Sequence, residues 1–191
     1  EYGYLVPSNM FAVVALRYLI EIAETVYEDQ ELAAQARQLA EEIQQGIDKH
    51  AIVEHPEFGR IYAYETDGFG NHNLMDDANV PSLLALPYLG YVDENDEVYL
   101  NTRRFILSSS NPYFYEGTAA SGIGSPHTPE GYIWHIALSM QGLTSQEREE
   151  KLRLLELIRD TDADTGLTHE GFSANDPHQY TRALGAIFLR S

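Results

Sequence analysis

The sequence predicts an all-α protein made of one domain. Apolar residues recur at three- and four-residue steps in several long segments, which is the spacing of an amphipathic helix. No segment alternates apolar and polar residues with a period of two over a useful length. A chain of 191 residues that is 43% hydrophobic has the size and composition of one globular domain.

Two amphipathic helices are predicted at the N-terminal end. Ser8 and Asn9 are residue types that cap a helix, and they precede the first apolar stripe. Glu, Gln and Arg residues lie opposite the second stripe. The two stripes consist of Val13, Leu16, Ile20 and Ala23, and of Leu32, Ala36, Leu39, Ile43 and Ile47.

Five further helices are predicted along the rest of the chain. Pro81 suits the first turn of one of them, and Leu152, Leu155 and Ile158 form the stripe of another. Trp134 shares a helical stripe with Ile133 and is expected in the core. The predicted helices are Val80–Leu89, Glu97–Ser108, Glu130–Gln141, Gln146–Asp160 and Gln179–Leu189.

Four long segments between the helices are rich in Gly, Pro, Asn and aromatic residues, and they carry most of the chemically useful side chains. Loops of this length are usually functional when they are ordered. If helical hairpins stack side by side, these loops meet at one end of the bundle and form one site. They are Gly3–Asn9, Tyr62–Asn79, Asn111–Thr128 and Thr165–Arg182.

Charge and composition exclude several classes of function. A formal net charge of -18 argues against nucleic acid and anionic membranes as partners, because both attract basic patches. The longest apolar runs are far shorter than the ~20 residues of a membrane span, and no signal peptide is visible. The chain has no cysteine, so thiolate metal sites and disulfides are excluded.

Segments that begin like metal-binding motifs lack residues that those motifs require. The segment 160–166 begins like a calcium-binding EF-hand loop, but Thr165 replaces its glycine and Gly171 replaces its bidentate glutamate. His169 and Glu170 lack the second histidine of a zinc-protease helix, since Ser173 stands in its place. We therefore expect no metal and no cofactor.

Acidic residues and one histidine in the loops have two interpretations each. Asp76 and Asp77 can stabilise the dipole of a following helix, or they can form a polar binding floor with Glu65 and Asp67. His127 either caps the next helix or donates a hydrogen bond to a substrate hydroxyl. The residues alone leave these alternatives open.

Glu170 stands out because its segment, 165–172, is rich in turn residues and has no helical stripe. It is either a solvated loop residue or a carboxyl group with altered acidity that positions a water molecule. Its neighbours His169 and Phe172 favour an ordered environment.

Longer blocks of sequence resemble glycoside hydrolase family 125, the exo-acting α-1,6-mannosidases. The resemblance follows nearly the whole chain in order. The blocks are Tyr4–Val13, Tyr62–Asn71, Met75–Leu84, Leu86–Tyr91, Gly122–Thr128, Met140–Thr144 and Thr168–Phe172, with Thr181 and Arg182.

The resemblance implies part of an (α/α)6 toroid and a metal-independent, inverting hydrolysis of terminal α-1,6-linked mannose. It makes Glu170 the general base and places the acid, an Asp, upstream of Glu1. A mannose-containing oligosaccharide is the implied partner, and the chain is expected to be the C-terminal portion of the catalytic domain. The expected substrate contacts are Glu65, Asp67, Asp76, Asp77, Asn79, His127 and Arg182.

The sequence departs from the family in two respects. About seven helices are predicted where a full toroid has twelve, and the segment 183–190 lacks the tryptophans of the family's closing helix. An alternative is therefore a non-catalytic or vestigial glycan-binding protein, and a third hypothesis makes Asp76 or Asp77 the acid. An incomplete toroid would expose apolar edges, so we expect self-association.

Overall fold

The computed structural model describes residues 1–186. Over this range the chain forms five α-helices and one short π-helix, so the fold is mostly helical as predicted. The helices are α1 (Val6–Ile22), the π-helix (Ala23–Tyr27), α2 (Gln30–His50), α3 (Glu97–Ile106), α4 (His135–Leu143) and α5 (Arg148–Asp160).

Helices α1 and α2 pack along each other as a hairpin. Asp29 caps α2 by accepting a hydrogen bond from the backbone N of Leu32 at 3.0 Å. The buried face of α2 carries Ala33, Ala36 and Ala40, and small side chains at these steps let α1 approach closely.

The predicted stripes of α2 and α5 are wrong in part. Leu39 is 47% exposed, and Leu155 is 57% exposed. The buried face of each helix is offset from the predicted stripe. Helix α2 buries the predicted Ala36 and Ile47 with Ala33 and Ala40, and α5 buries the predicted Ile158 with Leu154, against α4. In α5 leucines occur on both faces, so periodicity alone selected the wrong ones. The predicted stripe residues that lie on the outside are Leu32, Leu39, Leu152 and Leu155.

The helix predicted at Val80–Leu89 does not form. Its backbone makes successive turns, with bonds such as that from N of Ala85 to O of Ser82 at 3.2 Å. Pro87 cannot donate a helical hydrogen bond. The amides of Leu83 and Leu84 instead donate to the side chain of Asp76.

Three other predicted helix boundaries are corrected. Helix α1 begins at Val6, so Ser8 and Asn9 lie within its first turn and do not cap it. Helix α4 begins only at His135, because the preceding residues turn at Gly131 and enter a strand. The predicted C-terminal helix, Gln179–Leu189, is non-helical over residues 179–182 and a strand over Ala183–Ala186, and its residues 187–189 lie outside the described residues.

Eleven short strands connect the helices within residues 1–186, and each is two to four residues long. They pair antiparallel as β1–β4–β5, β2–β3, β6–β7, β8–β10 and β9–β11. Strands this short give no periodic pattern. They are β1 (Tyr4–Leu5), β2 (Ile52–His55), β3 (Gly59–Tyr62), β4 (Glu65–Thr66), β5 (His72–Asn73), β6 (Phe114–Glu116), β7 (Ser121–Ile123), β8 (Tyr132–Ile133), β9 (Leu167–His169), β10 (Phe172–Ser173) and β11 (Ala183–Ala186).

The main hydrophobic core lies between α1, the turns after Asp76, and α3, with Met10, Tyr99 and Phe105 buried in it. A second cluster packs α4 and α5 against β8 and β10, around Leu138 and Phe172. Trp134, at the junction between β8 and α4, is 5% exposed, which confirms its predicted burial. The loops that carry the candidate site residues lie across these two cores.

Candidate functional site

Hydrogen bonds join the four long loops in pairs. Val6 N donates to Tyr64 O at 2.8 Å, which connects the first loop to the second. Ala78 N donates to Gly124 O at 3.0 Å, which connects the second to the third. The fourth loop meets the third at Gly171, as described below. Each of the four loops therefore contacts the next, while their convergence on one site stays a prediction.

Glu170 lies in the short loop between β9 and β10. Its Oε1 accepts a hydrogen bond from Nη2 of Arg182 at 2.7 Å, and its Oε2 accepts one from the hydroxyl of Thr181 at 3.3 Å. The side chain is 18% exposed. Both partners are donors, so they fix the direction of the carboxyl group, and the side chain stays partly exposed.

A tight contact links the Glu170 loop to the loop that carries His127. A methyl group placed on Gly171 would lie 3.2 Å from Nε1 of Trp134 and 3.3 Å from Cγ2 of Thr128. Nε1 of Trp134 donates to Oγ1 of Thr128 at 2.9 Å. A larger residue at position 171 would require the indole or the Glu170 loop to shift by a few tenths of an ångström.

His127 and Asp77 face each other across two loops. Nε2 of His127 lies 3.9 Å from Oδ2 of Asp77; the His127 side chain is 67% exposed and that of Asp77 is 5% exposed. Oδ1 of Asp77 accepts from the backbone N of Asn79 at 3.0 Å. Asp77 is thus a buried acceptor with an exposed imidazole above it, and Asn79 is exposed beside it.

Tyr64 is a neighbour of Asp77 that the sequence analysis did not single out. Burial, and then the nearby carboxylates of Asp77, Asp76 and Glu65, raise the pKa of the Tyr64 phenol. The phenol therefore keeps its proton and hydrogen-bonds to the side chain of Asp77. Its position within a resembling block was the only sequence signal for it.

Asp76 differs from Asp77 in its surroundings. It is 0% exposed, and its two carboxyl oxygens accept from the backbone N of Leu83 at 2.8 Å and of Leu84 at 2.9 Å. Its side chain therefore holds the following turns together. It has no free edge toward a ligand in this structure, which removes the geometric basis for making it the acid or a substrate contact.

Glu65 and Asp67 lie on and beside β4. Oε2 of Glu65 accepts from Asn73 Nδ2 and from the backbone N of Tyr2, each at 3.2 Å. Asp67 is occupied by its own turn, where Asn71 Nδ2 donates to it at 2.6 Å. This bond and the backbone N–H of Phe69 lower the pKa of Asp67. Glu65 adjoins Tyr64 at the site, whereas Asp67 orders the turn that follows.

Thr181 and Thr128 are the other residues that sequence reasoning missed. Each uses its hydroxyl to fix a neighbour, Glu170 in one case and Trp134 in the other. Threonines give no distinctive pattern in a sequence, so only the fold identifies them. Among residues 1–186, no group of three or more His, Asp and Glu side chains is arranged to hold a metal ion. No helix in that range has the length and hydropathy to cross a membrane.

Comparison with known proteins identifies the family of this chain. Residues 1–187 match the profile of the family described as metal-independent alpha-mannosidase. The chain belongs to glycoside hydrolase family 125. The family is one of glycoside hydrolases that act as α-mannosidases, as the resemblance implied.

Two relatives support the assignment. A Streptococcus pneumoniae protein, described as one of a family of metal-independent alpha mannosidases and solved in a non-productive complex with alpha-1,6-mannobiose, is 53% identical with a TM-score of 0.93. The Meiotically up-regulated gene 157 protein of Schizosaccharomyces pombe is 45% identical over 180 residues. The match to the streptococcal protein covers 95% of this chain, and the match to the Schizosaccharomyces pombe protein covers 94% of it.

The chain spans less than half of either relative, 43% of the streptococcal chain and 35% of the yeast protein. The structure of a bacterial glucoamylase with acarbose aligns with 92% of this chain, and the alignment covers 30% of the glucoamylase chain. The TM-score is 0.68 and the sequence identity is 17%. The likeness to the glucoamylase concerns the fold alone. Together the neighbours agree with the predicted fold class, part of an (α/α)6 toroid.

Proposed function

We propose that this chain supplies the base-bearing part of an exo-acting α-1,6-mannosidase, with Glu170 as the general base. The observation that carries the proposal is the setting of Glu170, whose carboxyl group is aimed by Arg182 and Thr181 and remains partly exposed. In an inverting glycosidase such a carboxylate removes a proton from water as the water attacks the anomeric carbon.

The proposed reaction needs a second carboxyl group on the opposite side of the scissile bond. In inverting enzymes the acid and the base lie about 6.5–9.5 Å apart, which leaves room for the water. Asp76 has both oxygens occupied by backbone amides, so we do not propose it. We propose that the acid is contributed from outside residues 1–191, as the family resemblance implies.

The substrate that we propose is a terminal α-1,6-linked mannose. The mannobiose complex of the streptococcal relative supports this ligand. We propose that Asp77, His127, Asn79, Glu65 and Arg182 contact its hydroxyls. Asp77 offers a buried acceptor and His127 an exposed ring above it, which suits a hydroxyl that both donates and accepts.

Turnover and binding of α-1,6-mannobiose test the proposal. They are measured for residues 1–191 and for the longest natural polypeptide that contains them. Glu170→Gln keeps the size of the side chain and its contact with Arg182, and it should lower kcat by about 10³-fold or more while the Kd changes little. Glu57→Gln, in an exposed turn, is the matched control and should behave as wild type.

Turnover and binding together distinguish a catalytic role of Glu170 from glycan binding without catalysis. Loss of turnover in Glu170→Gln with retained binding supports the base role. Full activity of Glu170→Gln contradicts it. Binding by wild type without turnover in either polypeptide would favour the non-catalytic glycan-binding alternative.

A further inference from the structure

Two buried histidines lie next to each other, and one of them directly precedes Glu170 in the chain. His135 begins α4 and is 1% exposed; His169 ends β9 and is 0% exposed. Their ring centroids are 5.7 Å apart. Phe172 stacks on His135 at 4.6 Å, and Tyr180 stacks on His169 at 3.9 Å. The pair is therefore enclosed by aromatic rings.

The hydrogen bonds determine which nitrogen of each ring carries a hydrogen. The backbone N of His169 donates to Nδ1 of His135 at 2.9 Å, so that atom is an acceptor. Nε2 of His135 then carries the hydrogen and donates to Oγ1 of Thr161 at 2.9 Å, and the Thr161 hydroxyl donates to Leu157 O at 2.7 Å. Each hydrogen in this chain of contacts has one acceptor.

His135 keeps this acceptor because it is buried. Burial, and then the neighbouring His169 ring, lower the pKa of His135 to about 4, against smaller raising effects of the His169 backbone and Asp162. At neutral pH the ring is uncharged. Its Nδ1 is then free to accept the hydrogen bond from the backbone of His169.

The ring of His169 makes a second hydrogen bond that anchors this residue. Its Nε2 lies 3.0 Å from the carbonyl oxygen of Asp162, so it donates there. Nδ1 of His169 has no hydrogen-bond partner within residues 1–186.

The position of these bonds bears directly on Glu170. Glu170 directly follows the last residue of β9, so anchoring His169 fixes the point at which the Glu170 loop begins. On the next peptide, the backbone N of Glu170 donates to Arg182 O at 2.9 Å. The peptide between residues 168 and 169 is thus fixed by His135 of α4, and the peptide between residues 169 and 170 by the backbone of Arg182.

We propose that His135 is a positioning residue for Glu170, acting through the backbone of His169; this inference rests on the proposed role of Glu170 as the base. The acceptor at Nδ1 places β9 relative to α4. Losing it would let the Glu170 carboxylate depart from the line of attack of the water, and small misplacements reduce catalysis strongly.

Two substitutions of His135 isolate the acceptor. His135→Leu fills a similar volume without an acceptor, and Asn in the same place retains an oxygen near the position of Nδ1. Leu154→Ala, in the same packed cluster and 1% exposed in the wild type, is the control for lost stability alone. The kcat and KM for α-1,6-mannobiose and the melting temperature are measured in the longest natural polypeptide that contains residues 1–191.

We expect His135→Leu to lower kcat by about 10–100-fold with KM within about threefold of wild type, and His135→Asn to recover most of kcat. Leu154→Ala should lower the melting temperature and leave kcat nearly unchanged. Equal kcat for His135→Leu and Leu154→Ala, or no recovery in His135→Asn, would overturn the inference. If Glu170→Gln is active, the proposed base role fails; if only His135→Leu is active, the positioning role alone fails.

A spectroscopic measurement on the wild-type chain tests the hydrogen bond at Nδ1 of His135 without turnover and without any substitution. In ¹⁵N spectra of the wild-type chain at neutral pH, His135 should carry its hydrogen on Nε2, with Nδ1 unprotonated. A hydrogen on Nδ1 would overturn the inference, because that atom could not then accept from His169.

Discussion

The guanidinium of Arg182 lies 2.7 Å from Oε1 of Glu170, and the backbone N of Glu170 donates to the carbonyl oxygen of Arg182 at 2.9 Å. Residues twelve apart in sequence are therefore joined both through their side chains and through their backbones. The arrangement makes Arg182 a support for the proposed base as well as a proposed sugar contact.

Replacing Arg182 with Ala should affect activity far more than stability. The Arg182 side chain is 70% exposed, so removing this ion pair should change the free energy of unfolding by less than about 1 kcal/mol. We expect kcat for α-1,6-mannobiose to fall by about 10–100-fold, because the Glu170 carboxyl group loses its fixed direction.

Arg159→Ala is the matched control for Arg182. Arg159 makes a 2.7 Å ion pair with Asp160 at the end of α5, and both side chains are more than half exposed. Kinetics and thermal unfolding of the two variants should show equal stability but different kcat. Equal kcat would mean that the Arg182 pair does not serve the base.

Adding one methyl group at Gly171 should destabilise the site. A Cβ there would lie 3.2–3.3 Å from Trp134 and Thr128, so the indole or the Glu170 loop has to shift. We expect Gly171→Ala to lower the free energy of unfolding by about 1–3 kcal/mol and to reduce mannobiose binding.

Gly46→Ala tests the same change where there is room. Gly46 lies inside α2, and a Cβ there would meet nothing within 4 Å. Helix propensity predicts a gain of about 0.5–1 kcal/mol in the free energy of unfolding, with binding unchanged. Denaturant titration of both variants measures the contrast, and a destabilising Gly46→Ala would contradict the packing described.

Asp76 should make stability depend on pH. Burial raises its pKa from 3.8 to about 7, against the lowering effect of the amides of Leu83, Leu84 and Asp77. The folded chain keeps this proton up to about pH 7, whereas the unfolded chain releases it near pH 4. The contribution of Asp76 to stability is therefore largest below pH 4 and is lost as the pH rises to about 7.

Asp76→Asn isolates this contribution. Asn offers one acceptor oxygen where two amides donate, so it should destabilise the chain by about 1–3 kcal/mol at pH 4. As the pH rises from 4 to 7, wild type should lose up to ~4 kcal/mol relative to the variant, so the difference in free energy of unfolding should shrink and can reverse in sign. Urea titrations across that range measure it, and a gap that does not change with pH would mean that Asp76 is ionised throughout.

The outer end of the first hairpin should promote self-association of the 191-residue chain. Tyr18 is 59% exposed, Val26 is 68% exposed and Tyr27 is 72% exposed. Contiguous exposed apolar side chains favour association. Sedimentation should show dimers or larger species at tens of micromolar, reduced in Val26→Ser/Tyr27→Ser; a wild-type monomer that binds no hydrophobic dye would contradict this.

Much of the fold was predictable because long helices repeat one pattern many times. The segments that became α2 and α5 satisfy it over several turns, so their existence was clear. Which face of each helix is buried could not be predicted, because Leu39 and Leu155 fit the same period as the residues that pack. Facing partners decide that choice, and a single sequence does not contain their positions.

The turns after Asp76 and the C-terminal strand show a different reason for failure. Pro81 and the apolar residues after it suited a helix locally, yet the side chain of Asp76 takes the amides of Leu83 and Leu84. Ala183–Ala186 has helix-forming residues, yet it pairs with β9. In both places a tertiary contact outweighs a local preference.

At the site, acidic and aromatic loop residues were predictable, whereas their supports were not. Glu170 and Arg182 stood out within the resembling blocks, and the structure joins them. Thr181, Tyr64 and His135 act through hydrogen bonds with residues that lie ten or more positions away in the sequence. Such bonds leave no spacing to detect.

The anomer that is released first tests the central claim most directly. If Glu170 activates water on the face opposite the leaving group, hydrolysis of α-1,6-mannobiose yields β-mannose before mutarotation, and Glu170→Gln slows its release by about 10³-fold or more. An NMR time course with the longest natural polypeptide that contains this chain records the first product. Release of α-mannose as the first product, or β-mannose released by Glu170→Gln at close to the wild-type rate, would contradict the account.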